Sequence, residues 1–395
     1  MTTKKIALAP AAPASTPRVA VNATEAALRA AVFERDEIAR LAIACAIAGQ
    51  HVLLLGEPGT GKSYFAEALA SAIDARSFLY LMTRTTTPEE IVGAPDMKRW
   101  ADTGERVLRT AHKLAAADVG FLDEIWKSNG VVLNALLRLL NERTYVDDLG
   151  EHRSPLRFVI SASNETPEPG EVDAVYDRFL VRYFVEPVQD PALRRAMARR
   201  QLPTRPVQTM TLADLDAAKA EASALPVDDA ALDALDAVLR DLRAKGIVVS
   251  DRRFVATVSL MQALAWMDGR ASVSASYVET ARHTTWSKVE QRATVDAVVE
   301  AHLPKIDSDL TKLAKVVAEQ DAAIRAAMTG NAPRAKKQEV LGGVADELDD
   351  VIADLDKLAE EHPGAASAID VVRARAKETM AAANAAVIAA FKGGK

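Results

Sequence analysis

An apolar run, His51-Val52-Leu53-Leu54-Leu55, leads straight into Gly56-Glu57-Pro58-Gly59-Thr60-Gly61-Lys62-Ser63, and helical spacing of apolar residues resumes from Lys62 to Ile73. The order is strand, glycine-rich loop, helix. Gly56, Gly59 and Gly61 let the backbone curl until its N–H groups point inward, and the N-terminus of the following helix adds a favourable dipole, so the loop is built to hold a phosphate. The complete G-x-x-x-x-G-K-[ST] pattern predicts more. Lys62 should reach the β- and γ-phosphates of a nucleotide such as ATP, and Ser63 should bind Mg²⁺.

Further short apolar runs follow at Phe78–Leu81, Val119–Leu122, Leu156–Ser161 and Leu180–Val185, separated by helical stretches such as Gly130–Asn141. With His51–Leu55 they make five strands, and the alternation predicts an α/β fold: a parallel sheet with helices on its faces. The run at Val119 ends in Asp123-Glu124, which sets two carboxylates at the strand's C-terminal end beside the phosphate loop. A strand ending in two acids is common on its own. Behind a P-loop it supplies what hydrolysis needs: Asp123 to hold Mg²⁺ and Glu124 to align or deprotonate the attacking water.

Before this core, residues 22–48 show helical spacing closed by Gly49, and residues 1–21 read as a disordered tail, since Pro10 and Pro13 interrupt a short, Ala-rich stretch. The core is expected over 22–188. Past Pro187 the strands stop, and 189–292 read as an all-α domain. From 293 to 395 Leu303, Ile306, Leu310, Leu313, Val317 and Ile324 recur at coiled-coil spacings. Gly330–Pro333 and His362–Gly364 break this region into three helices, expected to form a bundle or hairpin. Residues 346–361 carry eight acids and one lysine, which reads as a solvated helix face.

The chain resembles the AAA+ ATPases, and within them the MoxR family and its RavA-like members, over about residues 30–290. The resemblance rests on Gly56–Ser63, Tyr80–Gly93, Phe121–Lys127, Leu136–Arg143, Ser161–Glu165 and Tyr176–Leu180, in that order. It implies an AAA+ P-loop core with a parallel five-stranded sheet, an all-α lid and, outside the resemblance, the C-terminal helices. It also implies roles. Asn164 resembles sensor 1, which positions water near the γ-phosphate; read without the family, it is a turn or cap residue. Arg178 resembles the arginine finger that reaches a neighbouring subunit's nucleotide; its plainer reading is a salt bridge with Asp177. In Ser250-Asp251-Arg252-Arg253, Arg252 aligns with the sensor 2 cation of the lid, and Arg253 stays open as an alternative. Residues 84–113 match an insertion of this branch, and Asn141–Pro155 its hairpin before sensor 1. Both are candidate substrate contacts.

The resemblance further implies a ring, a hexamer, that cleaves ATP between subunits to remodel or mature a client in a chaperone-like role, with a von Willebrand factor A domain protein as partner. The rival reading is a nucleic-acid-associated NTPase, which shares these catalytic residues; a formal charge of −6 speaks against it. A second rival is a scaffold that binds nucleotide without turnover. Hydrophobic residues at 49% and charged residues at 26% are ordinary globular usage. No apolar stretch approaches a membrane span, so the expected location is the cytoplasm. Cys45 lies in an apolar helical run and reads as core filler. The six histidines are scattered without metal-ligand spacing, so no zinc site is expected.

Overall fold

The computed structural model describes residues 16–166, 173–200, 203–329, 333–361 and 366–392. The chain divides into two compact units, Met1–Val188 with Leu202–Asp296, and Gln189–Gln201 with Ala297–Lys395. In the first, helices α1 (Pro17–Ala31) and α2 (Asp36–Ala48) precede β1 (His51–Leu55), α3 (Lys62–Ala72), β2 (Ser77–Leu81), β3 (Val119–Asp123), α4 (Gly130–Asn141), β4 (Phe158–Ser163) and β5 (Phe179–Phe184). The five strands form one parallel sheet in the order β5-β1-β4-β3-β2. Strand β1 is flanked by β5 and β4 and every one of its residues is buried, which is why its sequence is a continuous apolar run rather than an alternation. Leu55 pairs with Ser163 and Asp123 with Ala162, so the ends of β1, β3 and β4 open side by side.

The segment 22–48, continuous by its apolar spacing, is two helices. Thr16 caps α1 and Pro17 takes its first turn, so residues 17–21 are helical rather than tail; residues 1–15 lie outside the described residues. The chain breaks at 32–35 and delivers Arg35 to the phosphate loop. Its guanidinium donates to the carbonyls of Thr60, at 3.0 Å, and Glu186. Gly49 ends α2 in the left-handed region, φ 67°, where glycine carries no steric cost.

Helices α5 (Leu212–Ser223), α6 (Asp229–Ala244) and α7 (Asp251–Met267) follow. Leu215 and Ala218 of α5 and Leu260 and Trp266 of α7 join the same core as Ile38, Leu41 and Cys45 of α2, so this helical region and the sheet are one packed body. One short exception to its helical character is Met210–Thr211, which pairs in parallel with Ile73–Asp74. Cys45 is fully buried, and burial pushes its thiol pKa up.

The Leu136–Arg143 segment has a structural reason. Arg143, at the end of α4, donates to the carbonyls of Gly49 (3.0 Å), Leu139 (3.2 Å) and Arg157 (3.1 Å), tying α4 to the strand starts. Beside it, buried His51 accepts from the Val159 N–H at 2.9 Å, and its Nε2 lies 3.0 Å from the Leu140 carbonyl. The ring is therefore neutral with its proton on Nε2. Burial, reinforced by the Arg143 cation, lowers its pKa from 6.5 to about 3. A depressed folded-state value means that, below pH 6.5, the unfolded chain binds a proton that the folded chain refuses. Stability is full above that value and falls as pH drops toward 3, by at most about 1.4 kcal/mol per pH unit. His51→Gln should flatten the pH dependence of the denaturation midpoint between about pH 6.5 and 5, above the carboxylate range. An unchanged slope in the variant contradicts the assignment.

In the second unit, α8 (Lys305–Thr329), α9 (Arg334–Glu361) and α10 (Ala366–Lys392) form the C-terminal helices. Pro304 separates α8 from the preceding helix, Arg292–His302, where the apolar spacing alone suggests continuity. Residues 330–332 and 362–364 of the expected breaks lie outside the described residues. Leu310, Val317 and Ile324, then Leu341, Leu348 and Leu355, then Ile369, Ala376 and Ala383 are buried together, each set at seven-residue steps, the coiled-coil period. Gly342 and Gly343 sit inside α9, and a Cβ added at either meets no atom within 4 Å. Replacing each with Ala should therefore stabilise this unit by about 1 kcal/mol. The gain should show in the far-ultraviolet dichroism transition and not in tryptophan fluorescence, because Trp100, Trp126, Trp266 and Trp286 all belong to the first unit. A lower midpoint overturns it.

Candidate nucleotide site

The phosphate loop adopts the conformation its glycines allow. Gly56, Gly59 and Gly61 have φ of 146°, 79° and 84°. A Cβ on Gly56 would lie 2.5 Å from the Val185 carbonyl oxygen, so that position demands glycine by space as well as by backbone. At Gly59 and Gly61 a Cβ would meet nothing within 4 Å, so the positive φ rather than crowding favours glycine there. Glu57, Pro58 and Gly59 are exposed along its crest, and the Thr60 hydroxyl donates to the Glu57 carbonyl at 2.9 Å.

Lys62 opens α3 and is 6% exposed. Its Nζ donates to the carbonyls of Gly56 (2.7 Å) and Glu57 (2.9 Å) and to Asn164 Oδ1 (2.8 Å). Burial lowers its pKa from the usual lysine value, against the opposing pull of Glu124, Asp123 and Glu57. Ser63 Oγ donates to Asp123 Oδ2 at 2.7 Å, and the Glu124 N–H to Asp123 Oδ1 at 3.0 Å. Asn164, one residue past β4, donates from Nδ2 to Glu124 Oε1, and Lys127 pairs with the same carboxylate at 3.4 Å. Glu124 has φ 53°, a left-handed conformation that is uncommon outside glycine and occurs where the chain turns sharply off β3. Thus Lys62, Ser63, Asp123, Glu124 and Asn164 converge, joined by one chain of hydrogen bonds. A cavity of about 400 Å³ lined by Gly56, Asn164, Phe184 and Val289 opens beside them, within the size of small-ligand sites.

These residues fit a magnesium-bound triphosphate. The Ser63 hydroxyl and Asp123 carboxylate are adjacent hard oxygen donors, the pair suited to Mg²⁺, and the glycine-curled loop and buried cation suit phosphate. Arg178 stands elsewhere, in the turn between a short helix, Asp173–Tyr176, and β5. Its side chain is 15% exposed and lies 3.6 Å from Asp177, so the plainer salt bridge is present, while its buried Nε has no hydrogen-bond partner. Arg252 is exposed on the first turn of α7, and Arg253 is buried and bonded to carbonyls of its own chain. Arg35, which donates to the Thr60 and Glu186 carbonyls at the edge of the loop, carries no local sequence signal, because its role depends on these tertiary bonds.

Two further segments carry exposed apolar residues. The insertion contains a helix, Met97–Thr103, and a short antiparallel pair, Ala94–Pro95 with Leu108–Arg109. The hairpin pairs Thr144–Asp147 with Gly150–Arg153. The N–H groups of Arg106 and Leu108 donate to Asp148 and Asp147, at 2.6 and 3.2 Å, which joins the two segments. Met97, Trp100, Val146 and Leu149 are exposed on them. Among the described residues no helix is long and apolar enough to cross a membrane.

A five-stranded parallel sheet with a P-loop, a strand-end acid pair and a helical lid defines the AAA+ class. Residues 19–239 match the family model described as the MoxR domain in the MoxR-vWA-beta-propeller ternary systems, and residues 231–299 match an AAA lid domain. The chain belongs to the MoxR family of AAA+ ATPases. An uncharacterized protein of Methanocaldococcus jannaschii is 32% identical over 267 residues, 68% of this chain and 70% of that protein. Protein MoxR of Paracoccus denitrificans is 32% identical over 181 residues, 44% of this chain and 52% of MoxR. In fold, the chain is similar to a crystal structure from Cytophaga hutchinsonii provisionally designated an ATPase, with a TM-score of 0.59 at 16% identity, covering 72% of this chain and 94% of that one.

Proposed function

We propose that this protein hydrolyses ATP at interfaces between its own copies, in a cytoplasmic ring of hexamer type, and uses the cycle to remodel or mature a client protein. The observation that carries the reading is the bonded series Lys62–Asn164–Glu124 next to Ser63–Asp123: a phosphate-binding cation and a carboxylate base held apart by one amide. When bound, Mg²⁺ would neutralise phosphate charge between Ser63 and Asp123. All three N–H donors of Lys62 are engaged within the chain, so an entering phosphate oxygen takes the place of one acceptor. Asn164, a side chain that can turn, is the replaceable one. Glu124 Oε then receives a proton from the attacking water. Arg178 is assigned to the neighbouring subunit's nucleotide and Arg252 to the subunit's own, as sensor 2.

The family's ternary systems support a von Willebrand factor A domain protein as partner, and a RavA-like placement rests on the order of the motifs alone. Exposed Met97, Trp100, Val146 and Leu149 suit contact with an unfolded or mobile client segment. Sedimentation with saturating Mg-ATP, run alongside ATPase assays with and without DNA, tests the whole reading. Assembled rings whose turnover ignores DNA are expected. Fully active monomers overturn it, and strong stimulation by DNA moves the protein to the nucleic-acid motors.

A further inference from the structure

We infer that Arg253 is a positioning residue that fastens the first turn of lid helix α7 to the turn carrying Arg178, so that lid and finger move as one piece. The inference rests on the assignment of Arg178 to a neighbouring subunit's nucleotide. Ser250 caps α7, accepting from the Arg253 N–H at 3.3 Å, and successive residues on a helix point about 100° apart. Arg252 accordingly faces solvent, whereas Arg253 turns inward and is 4% exposed.

The guanidinium of Arg253 is spent on its own chain. Nε donates to the Thr284 carbonyl at 2.7 Å, Nη1 to those of Asp177 (3.2 Å) and Phe179 (3.1 Å), and Nη2 to that of Leu180 (2.5 Å). Nη1 also lies 3.6 Å from the Asp177 carboxylate. Three of these four carbonyls flank Arg178 in sequence, and a planar fork of five donors is the side chain able to hold them together. A second grip comes from the segment after the acid pair. The Trp126 ring, two residues past Glu124, meets Tyr176 and Phe179 edge-on at 5.7 and 6.2 Å. The backbone on both sides of Arg178 is therefore fixed by the lid and by the segment after the acid pair. Burial lowers the pKa of Arg253 to about 9, which leaves it charged near neutrality. A sensor 2 contact with phosphate would require these bonds to be given up. Their number assigns Arg253 to the finger and leaves Arg252 for the nucleotide.

The two roles differ in which subunit they serve, and subunit mixing separates them. Arg253→Gln has an intact P-loop and a misplaced finger, whereas Lys62→Ala has an intact finger and no bound nucleotide. Each alone should be inactive, and Arg253→Gln should bind nucleotide within about twofold of wild type. Mixed in equal amounts, they should recover up to about a quarter of wild-type turnover, the share of interfaces with the working arrangement under random assembly in a ring. Arg178→Ala mixed with Lys62→Ala is the parallel control. If that control recovers activity and the Arg253→Gln mixture does not, Arg253 serves its own subunit's nucleotide and the inference is wrong. If the control itself fails, the finger assignment falls and the inference falls with it. Should Arg253→Gln lose its cooperative melt, Arg253→Lys, which keeps the charge with fewer donors, is scored in the same way.

Discussion

Arg178→Ala is expected to lower ATP turnover by about 10³–10⁵-fold, the contribution of an arginine supplied across an interface, while leaving nucleotide affinity at its own P-loop unchanged. On the transition-state scale this is about 4–7 kcal/mol. Against it stands the pairing with Asp177, which at 3.6 Å is a loose contact between two partly buried side chains, without hydrogen-bond geometry. Even a fully exposed pair is worth only about 0–1 kcal/mol, and this one is too long to be a strong hydrogen-bonded pair, so the guanidinium is not locked to Asp177. The buried, unpartnered Nε agrees with a side chain whose hydrogen-bonding capacity is not yet used. Single-turnover phosphate release and nucleotide titration on the same preparation separate the two effects. Unchanged turnover would return Arg178 to an ordinary structural role beside Asp177.

Lys62→Ala should abolish nucleotide binding or nearly so, whereas Glu124→Gln should keep binding, cut turnover by about 10²–10⁴-fold and trap assembled, nucleotide-loaded rings. The contrast follows from geometry. Removing the Lys62 ammonium deletes the cation of the phosphate loop and leaves Gly56 O, Glu57 O and Asn164 Oδ1 without their donor. Glutamine at 124 retains the shape and the carbonyl oxygen that accepts from Asn164 Nδ2, and loses the negative charge, hence the ability to take a proton and the ion pair with Lys127. Fluorescent-nucleotide binding, phosphate release and sedimentation measure the three quantities. Wild-type turnover in either variant removes the site assignment.

Much of the fold is written locally, and the unread parts are those decided by burial. The phosphate loop, the Asp123-Glu124 strand end and the five apolar runs are short-range patterns, and the structure forms the loop and strands within a few residues of the positions they indicate. Strand order is not local. Only the crossover that sets β4 between β1 and β3 brings Asn164 against Lys62 and Glu124, and an asparagine after a strand carries no such information by itself. The arginines make the same point. Ser250-Asp251-Arg252-Arg253 offers two adjacent cations, and which faces inward depends on the helix start that Ser250 fixes. The break before α2 was equally silent, because apolar spacing resumes after it almost in phase. Arg35 draws the chain aside through tertiary bonds to Thr60 and Glu186. In the C-terminal unit the heptad rhythm was plain, whereas Pro304 as the point where α8 begins needed the backbone.

Cys45 is the sole cysteine of the chain, enclosed in α2 with its thiol held protonated by its surroundings. The native protein is therefore silent to maleimides and similar thiol reagents. Fluorophores or spin labels can be attached at one chosen position without first stripping out a competing sulfur, so a distance from that position becomes directly measurable.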